Sequence, residues 1–252
     1  RAQRKAARRH MVPTRQRTGR DGWGRLESWH AVGFLCLSAW LAVSCSRTSS
    51  PTDEFSRVMN SGKNYLDKGQ ADKAIPLFIR AVELEAGRPD AHLNLANAYL
   101  TAGQGEKAVE HGQRALSYDR NLAAAYYVTG CGHLRLRQFT EALQMLQSCR
   151  DLDPTVAAVH YQLGLAHQEL GHVEESIAAY QDAIRLEPNH PAAYYALSRA
   201  FLKAGRQDES QKTMERHTQV RAALPQGTML TPESFERCKY TQAVAPQKFL
   251  KP

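Results

Sequence analysis

The sequence lacks the motifs by which enzymes and metal-binding proteins are most often identified. It contains no glycine-rich phosphate loop, no paired-carboxylate motif and no nucleophile signature. Its five cysteines show neither a CxxC pair nor metal-ligand spacing. These absences indicate a non-catalytic protein with no cofactor and no metal ion.

The body of the chain also lacks an excess of positive charge, although the formal net charge is +8. Residues 1–30 hold nine Arg/Lys and two acidic residues, and residues 31–45 hold no charged residue. The rest of the chain carries 24 basic and 23 acidic side chains. Since affinity for nucleic acid depends on clustered Lys and Arg, this balance disfavours a nucleic-acid partner.

No apolar run reaches the ~18 residues that a membrane-spanning helix needs. The segment AVGFLCLSAWLAVS, residues 31–44, has the length of the apolar part of an export signal, and it follows a basic lead-in. This layout predicts export. The chain begins with Arg1, which leaves Met11 as a candidate start. A twin-arginine signal at Arg8-Arg9 is disfavoured because the apolar run begins far downstream.

The segment LAVSC, residues 41–45, resembles a bacterial lipobox, in which a cysteine becomes the lipidated N-terminus. The resemblance implies a lipid anchor at Cys45 after removal of residues 1–44. Ordinary secretion and a short uncleaved anchor remain alternatives. Ser46 follows the cysteine, which by the same resemblance favours the outer membrane if the source has two membranes. Residues 46–54 are poor in apolar side chains and predict a flexible tether.

The other three cysteines, Cys131, Cys149 and Cys238, are an odd number once the signal and the lipidated residue are set aside. We expect free thiols. A bridge between Cys131 and Cys149 would be compatible with an oxidising compartment, but no pattern supports it.

Internal repeats organise the remainder of the chain. Gly69, Gly103, Gly171 and Gly205 fall in a register with a period of 34 residues, with Arg137 at the missing position. The resulting five blocks are 55–88, 89–122, 123–156, 157–190 and 191–224. Residues 225–252 form a tail outside the repeats, in which Thr231-Pro232 predicts a short helix near 232–239.

Recurrent small and aromatic residues align in these blocks. Position 8 and position 20 of each block are small, position 11 carries a ring in every block, and position 27 is mostly small. The residues that we expect to pack repeat against repeat are Gly62, Ala74, Tyr65, Ala96, Tyr99, Ala108, Gly130, Ala142, Gly164 and Ala183. These columns resemble the tetratricopeptide repeat over about 170 residues.

The spacing places positions 4, 7, 8 and 11 on one face of a first helix, and positions 20, 24 and 27 on one face of a second. Because one helix hairpin cannot bury its apolar face alone, the hairpins stack. The family resemblance implies an all-α, right-handed solenoid of five helix-turn-helix units with a concave inner surface. Gly112 predicts a loosely packed second helix in block two. Pro154 and Pro188 end their helices, and blocks one and two, which lack this proline, are expected to end differently.

The resemblance also implies that first helices line a partner-binding groove. The candidate groove residues are Lys63, Asn97, Tyr127, Arg135, Tyr161, Leu165, Tyr195 and Arg199. The three tyrosines share position 5 and are expected to form a partly exposed ladder, although this position also serves packing in the family. Lys63 and Asn94 match two positions of the clamp that binds chaperone C-termini, but Met59, Ala124 and Val128 occupy others, so such a receptor is disfavoured.

Histidines invite a metal-site interpretation, since His160 and His167 lie seven residues apart on one helix. They occupy positions where the family carries aromatic rings, so we interpret them as packing rings. Taken together, the patterns predict an exported, lipid-anchored scaffold that binds other proteins of the bacterial cell envelope. At class level it resembles lipoproteins that assist pilus secretin assembly or dock peptidoglycan enzymes. Two alternatives are the recruiting or regulatory arm of an enzyme whose catalytic part lies outside this chain, and a purely structural spacer.

Overall fold

A computed structural model describes residues 51–225 and 238–244. The described residues contain ten α-helices and no strand, which confirms the predicted all-α class. The helices are α1 Pro51–Asp67, α2 Ala71–Leu84, α3 Pro89–Thr101, α4 Gly105–Tyr118, α5 Ala123–Arg135, α6 Phe139–Leu152, α7 Ala157–Glu169, α8 Val173–Leu186, α9 Pro191–Lys203 and α10 Gln207–Ala223. None of these helices is long and apolar enough to cross a membrane.

Each helix packs against the helices that precede and follow it in sequence. The first helices α1, α3, α5 and α7 also contact one another in that order. This pattern of neighbour-only packing is that of a helical solenoid. We use the name first-helix face for the surface formed by side chains of α1, α3, α5, α7 and α9.

The turns inside the helix pairs recur at the positions from which the period of the repeats was read. Gly69, Gly103, Gly171 and Gly205 have φ between 71° and 80°, and Arg137 has φ 59°. Glycine enters this left-handed region without the steric penalty of a Cβ, whereas arginine does not. The period read from these positions therefore has a backbone cause.

The small residues of the first helices make room for aromatic and aliphatic side chains of the second helices. A Cβ on Gly62 would lie 2.6 Å from the Phe78 ring, and one on Gly164 would lie 2.6 Å from the Tyr180 ring. Ala142 is fully buried on the second-helix side. Packing at this density tolerates no extra methylene without displacement of a neighbour.

Gly112 does not produce the loose packing that was expected. It is buried in α4, and a Cβ there would lie 2.2 Å from Thr129 Oγ1 on α5. The prediction was wrong because the absent side chain lets two backbones approach, with Thr129 occupying the vacated space.

The second helices of the first four pairs end at equivalent positions, whether or not a proline follows. They end at Leu84, Tyr118, Leu152 and Leu186, and an acidic residue follows each: Glu85, Asp119, Asp153 and Glu187. The prediction that pairs without proline end differently was therefore wrong. The Asp119 carboxylate accepts a hydrogen bond from the Asn121 N–H, a local turn that ends a helix without proline.

Two predicted boundaries change at the ends of the solenoid. Helix α1 begins at Pro51, so the prediction of a flexible tether is wrong for residues 51–54, where proline, Asp53 and Glu54 form a favourable first turn. Residues 46–50, Cys45 and the proposed signal lie outside the described residues. The predicted helix near 232–239 also lies outside them as far as residue 237, and residues 238–242 form turns and bends.

Candidate peptide-binding groove

A short non-helical segment from beyond the repeats lies on the first-helix face. We call residues 238–244, CKYTQAV, the tail segment. Its backbone forms a turn in which the Thr241 N–H donates to the Cys238 carbonyl at 3.1 Å. Tyr240 and Ala243 are buried, with 8% and 4% of their surface exposed. The tail segment is thus packed against the solenoid.

Asn94 of α3 binds the backbone of the tail segment at two atoms. The Val244 N–H donates to Asn94 Oδ1 at 2.7 Å, and Asn94 Nδ2 donates to the Val244 carbonyl at 2.8 Å. The asparagine side chain is fully buried. Because a buried amide must satisfy both its ends, this pairing places Asn94 opposite a peptide backbone rather than a particular side chain.

Asn97 lies one helical turn later on α3, and its side-chain amide is hydrogen-bonded at one of its two ends. Its Nδ2 donates to the Tyr240 carbonyl at 3.1 Å, while its buried Oδ1 has no hydrogen-bond partner among the described residues. An acceptor left unpaired away from water costs about 1–3 kcal/mol. The tail segment therefore leaves one acceptor of this site unused.

The tyrosine of the tail segment occupies a slot formed by α5 and the end of α6. The Tyr240 ring lies 5.7 Å from the Tyr127 ring, centroid to centroid, and its hydroxyl donates to Asp153 Oδ2 at 2.7 Å. The Lys239 ammonium pairs with the same carboxylate. We call Tyr127 and Asp153 the tyrosine slot.

These contacts change the protonation of the groups in the slot. Hydrogen bonding from Lys239, together with Thr155 and Tyr240, holds the pKa of Asp153 well below its usual range. Burial, followed by the hydrogen bond to Asp153, raises the pKa of the Tyr240 hydroxyl. The slot therefore holds an ionised carboxylate that accepts bonds from a neutral phenol and an ammonium.

Two thiols lie close to the tyrosine slot. Burial raises the pKa of Cys149 to about 12, and burial raises the pKa of Cys238 as well. Cys238 is half-buried, whereas Cys131 and Cys149 are buried, and none of the three forms a disulfide with another described cysteine. Such cysteines are slow to react with alkylating reagents, because the thiolate is the reactive form.

The predicted tyrosine ladder is divided by exposure. Tyr127 is fully buried beneath Tyr240, and Tyr161 is 7% exposed with its ring 5.6 Å from that of Tyr180. Tyr195 is 44% exposed. The expectation that the ring of Tyr161 is only partly buried was wrong, because this ring packs against the second helix of its own pair.

The other predicted groove residues are spread along the first-helix face. Lys63 forms an ion pair with Asp67 of its own helix at 3.1 Å. Arg199 lies with its guanidinium 6.0 Å from the centre of the Tyr195 ring. Leu165 is half-buried and Arg135 is exposed. Of the eight predicted residues, Asn97 and Tyr127 are brought together by the tail segment.

Sequence reasoning did not place Asn94 or Asp153 among the groove residues, and it noted Asn94 only as a match to a chaperone clamp that was disfavoured. Asn94 lies one residue outside the positions taken to line the face, although it stands one helical turn from Asn97. Asp153 belongs to a series of acidic residues that follow the second helices, so it resembled an ordinary turn residue. Two asparagines three residues apart on a first helix were the available signal.

His160 of α7 and the equivalent His92 of α3 are buried in the packing of their helices. His92 and His160 bond through Nε2 to the carbonyls of Ala86 and Pro154, six residues earlier, at 3.1 and 2.9 Å. At the equivalent position the Tyr194 hydroxyl donates to the Pro188 carbonyl at 3.0 Å. Within the described part of the chain, no group of His, Cys, Asp and Glu could hold a metal ion.

Family models match most of the solenoid. Two models described as tetratricopeptide repeat match residues 65–128 and 161–223. A third, described as anaphase-promoting complex, cyclosome, subunit 3, matches residues 106–183. No curated protein sequence matches the chain significantly.

Solved structures share the fold. A crystal structure of MamA is 25% identical, covers 64% of this chain and 94% of its own, and superposes with a TM-score of 0.59. MamA from Desulfovibrio magneticus RS-1 is 21% identical over 70% of this chain and 98% of its own, with a TM-score of 0.64. PilF of Pseudomonas aeruginosa is 21% identical over 68% of this chain and 78% of its own, with a TM-score of 0.60. The repeat register, the ten helices and these matches together make this chain a tetratricopeptide repeat protein.

Proposed function

We propose that this protein is a non-catalytic scaffold, anchored in the bacterial cell envelope, that holds a segment of a partner protein on its first-helix face. The fold supports a protein-interaction role in general, since solenoids of this kind expose extended surfaces for partners. The observation that carries the proposal is the pairing of Asn94 with both backbone groups of Val244. A face that binds one peptide backbone through buried amides has the chemistry to bind another.

The part of the first-helix face on α9, which we call the open half, supports the same role. Tyr195 and Leu202 of α9 are 44% and 56% exposed, and Arg199 lies beside the tyrosine. Tyrosine and arginine are frequent hot spots of protein interfaces, because they bring a large contact area and directional bonds. We propose that the partner contacts this half first.

The envelope part of the proposal is supported by the sequence. A basic lead-in, an apolar segment of export-signal length and a lipobox-like LAVSC stand in order before the first helix. Lipidation of Cys45 would hold the solenoid at a membrane surface. If the source has two membranes, we propose the outer one.

Site-specific photo-crosslinking in the native cells tests the groove. A photoreactive amino acid in place of Tyr195 is expected to give discrete crosslinked products, and one in place of exposed Gln181 on α8 serves as the matched control. Crosslinking that is equal at both positions, or absent at both, would contradict a partner site on the first-helix face.

Intact-mass analysis of membrane-extracted protein tests the anchor. We expect an N-terminus at Cys45 carrying acyl chains, each of which contributes about 0.8 kcal/mol per buried CH₂ to membrane binding. Cys45→Ser is expected to release the protein or leave it unprocessed. Recovery of unmodified protein entirely in the soluble fraction would contradict lipidation.

A further inference from the structure

We propose that the tail segment is a built-in competitor for the partner, and that the partner presents an unphosphorylated tyrosine next to a basic residue. The proposal rests on the proposed function, because it assigns a chemistry and a regulation to the same face. The tail segment fills the part of the face built by α3, α5 and the end of α6. It therefore displays, within one chain, what this part of the face binds.

The backbone bonds define the kind of ligand that fits. Asn94 binds both groups of Val244, and Asn97 donates to the Tyr240 carbonyl four residues earlier. Both asparagines are buried with the tail segment in place, so an occupant that replaces it must satisfy the same amides. Any occupant must present a non-helical backbone, because a helix satisfies these groups internally.

The tyrosine slot defines the side chain that fits. Its floor is the Tyr127 ring, and its end is the Asp153 carboxylate, which accepts from the Tyr240 hydroxyl at 2.7 Å. Phenylalanine would leave the part-buried carboxylate without that donor. A phosphotyrosine would bring two negative charges against it, which like-charge repulsion disfavours. Lys239 on the same carboxylate adds a preference for a neighbouring cation.

The tail segment is an imperfect occupant, which is what allows it to be displaced. Within residues 51–225 and 238–244, no group donates a hydrogen bond to Asn97 Oδ1. Lys239 holds its ion pair with 55% of its side chain exposed, so water screens part of the attraction. A partner whose backbone N–H reaches Asn97 would gain a bond that the tail segment does not make.

Covalent attachment compensates for this imperfect fit. Residues 226–237 link the tail segment to the end of the solenoid in sequence, and a short linker gives an effective concentration on the order of millimolar. A free peptide with the same contacts must overcome that local concentration. A partner that also contacts exposed Tyr195 and Leu202 has the second attachment that makes displacement favourable.

The test measures competition in the full chain. The probe is a synthetic peptide of residues 236–246 with Cys238→Ser, and its affinity is measured for the unaltered protein, for Tyr240→Ala and for the control Gln242→Ala, whose side chain is exposed. We expect the peptide to bind Tyr240→Ala at least tenfold more tightly than the other two proteins. Circular dichroism checks that all three remain equally helical.

Peptide variants test the slot. In the Tyr240→Ala background, Asp153→Asn is expected to weaken peptide binding about tenfold, whereas Asp151→Asn, two residues earlier and exposed, leaves it unchanged. The phosphotyrosine form of the peptide is expected not to bind. Equal binding of the phosphorylated and unphosphorylated peptides would overturn the assignment of the slot.

Alkylation of Cys238 reports directly on docking, with buried Cys131 and Cys149 as internal references. We expect Cys238 to react with N-ethylmaleimide several-fold faster in Tyr240→Ala than in Gln242→Ala, as read by peptide mass spectrometry. Equal rates of Cys238 alkylation, or equal peptide affinity of the two variants, would overturn the proposal that the tail segment competes with the partner. Protection that depends on protein concentration would instead place the tail segment on a second copy and overturn binding within one chain. Photo-crosslinking from position 195 is a separate measurement. Absence of those crosslinks would contradict the proposed function but not the docking of the tail segment.

Discussion

The first-helix face has a covered half on α3 and α5 and an open half on α9, and the two halves differ in what covers them. On α3 and α5, Asn97 and Tyr127 are buried beneath the tail segment, whereas on α9 Tyr195 and Arg199 face outward. Tyr127 and Tyr195 occupy the same position of their repeats, yet one is fully buried and the other is 44% exposed. Repeat position sets the direction in which a side chain points, and the element that covers it decides whether it meets water. The tail segment covers Tyr127, and the second helix of its own pair covers Tyr161.

The largest expected effect is the difference in lost stability between alanine variants of the two tyrosines that define this contrast. Tyr127→Ala is expected to lower the free energy of unfolding by about 3 kcal/mol, the cost of deleting a fully buried aromatic ring. Tyr195→Ala is expected to change it by less than about 0.5 kcal/mol, as for an exposed residue. Urea denaturation of the two variants measures both values, and similar losses would mean that the halves do not differ.

The next effect concerns the amide that holds the tail segment. Asn94→Ala removes two hydrogen bonds to Val244 and is expected to weaken docking by about 1–2 kcal/mol. Hydrogen exchange of the tail peptides measures docking, and Asn60→Ala on exposed α1 is the control. If both variants exchange at the rate of the unaltered protein, the asparagine does not hold the segment.

Acid is expected to weaken the docking of the tail segment on α3 and α5 and to leave the exposed surface of α9 unchanged. Hydrogen bonding from Lys239 is the largest cause of the lowered pKa of Asp153. The Asp153 carboxylate therefore contributes fully to the free energy of unfolding above its ordinary pKa, near 4, and this contribution is lost as pH falls toward the lowered pKa. We expect the stability difference between the unaltered protein and Asp153→Asn to shrink as pH falls below about 4. Urea midpoints between pH 7 and pH 3 measure it. A constant difference would contradict an ionised Asp153 in the slot.

The smallest expected effect lies in the turns. Arg137 adopts φ 59° between α5 and α6 on the covered side, where the open side has Gly171 and Gly205. Arg137→Gly is expected to raise the melting temperature, with a gain of about 0.5–1 kcal/mol, because glycine relieves the left-handed strain. Gln144→Gly, at an exposed position inside α6, is expected to lower stability by about 1 kcal/mol. Effects of the same sign would remove the strain argument.

The period, the turns and the packing columns were predictable because each has a local cause. A left-handed turn selects glycine, and a close helix contact selects a small residue, so both recur in the sequence every 34 residues. Gly112 was misread because its consequence depends on Thr129 of the next helix, which has a side chain able to fill the space.

The covered half of the groove was not predictable for the opposite reason. Asn94 and Val244 are 150 residues apart, and the tail segment belongs to no repeat. No periodic pattern connects Tyr240 to Tyr127 or Asp153. The same lack of periodicity explains why Tyr127 was expected to be partly exposed, as Tyr195 is.

The period of the solenoid also bears on how such a chain can change over evolutionary time. Tandem duplication or loss of one 34-residue unit preserves the stack almost anywhere along its length, since each unit packs only on its neighbours. The junction between α4 and α5 is the exception. Asn94 and Asn97 lie before it, while Tyr127 and Asp153 lie after it, and the tail segment bridges both. A unit inserted there would separate the amides from the tyrosine slot by one repeat, so docking of the tail segment restricts changes of length at that junction.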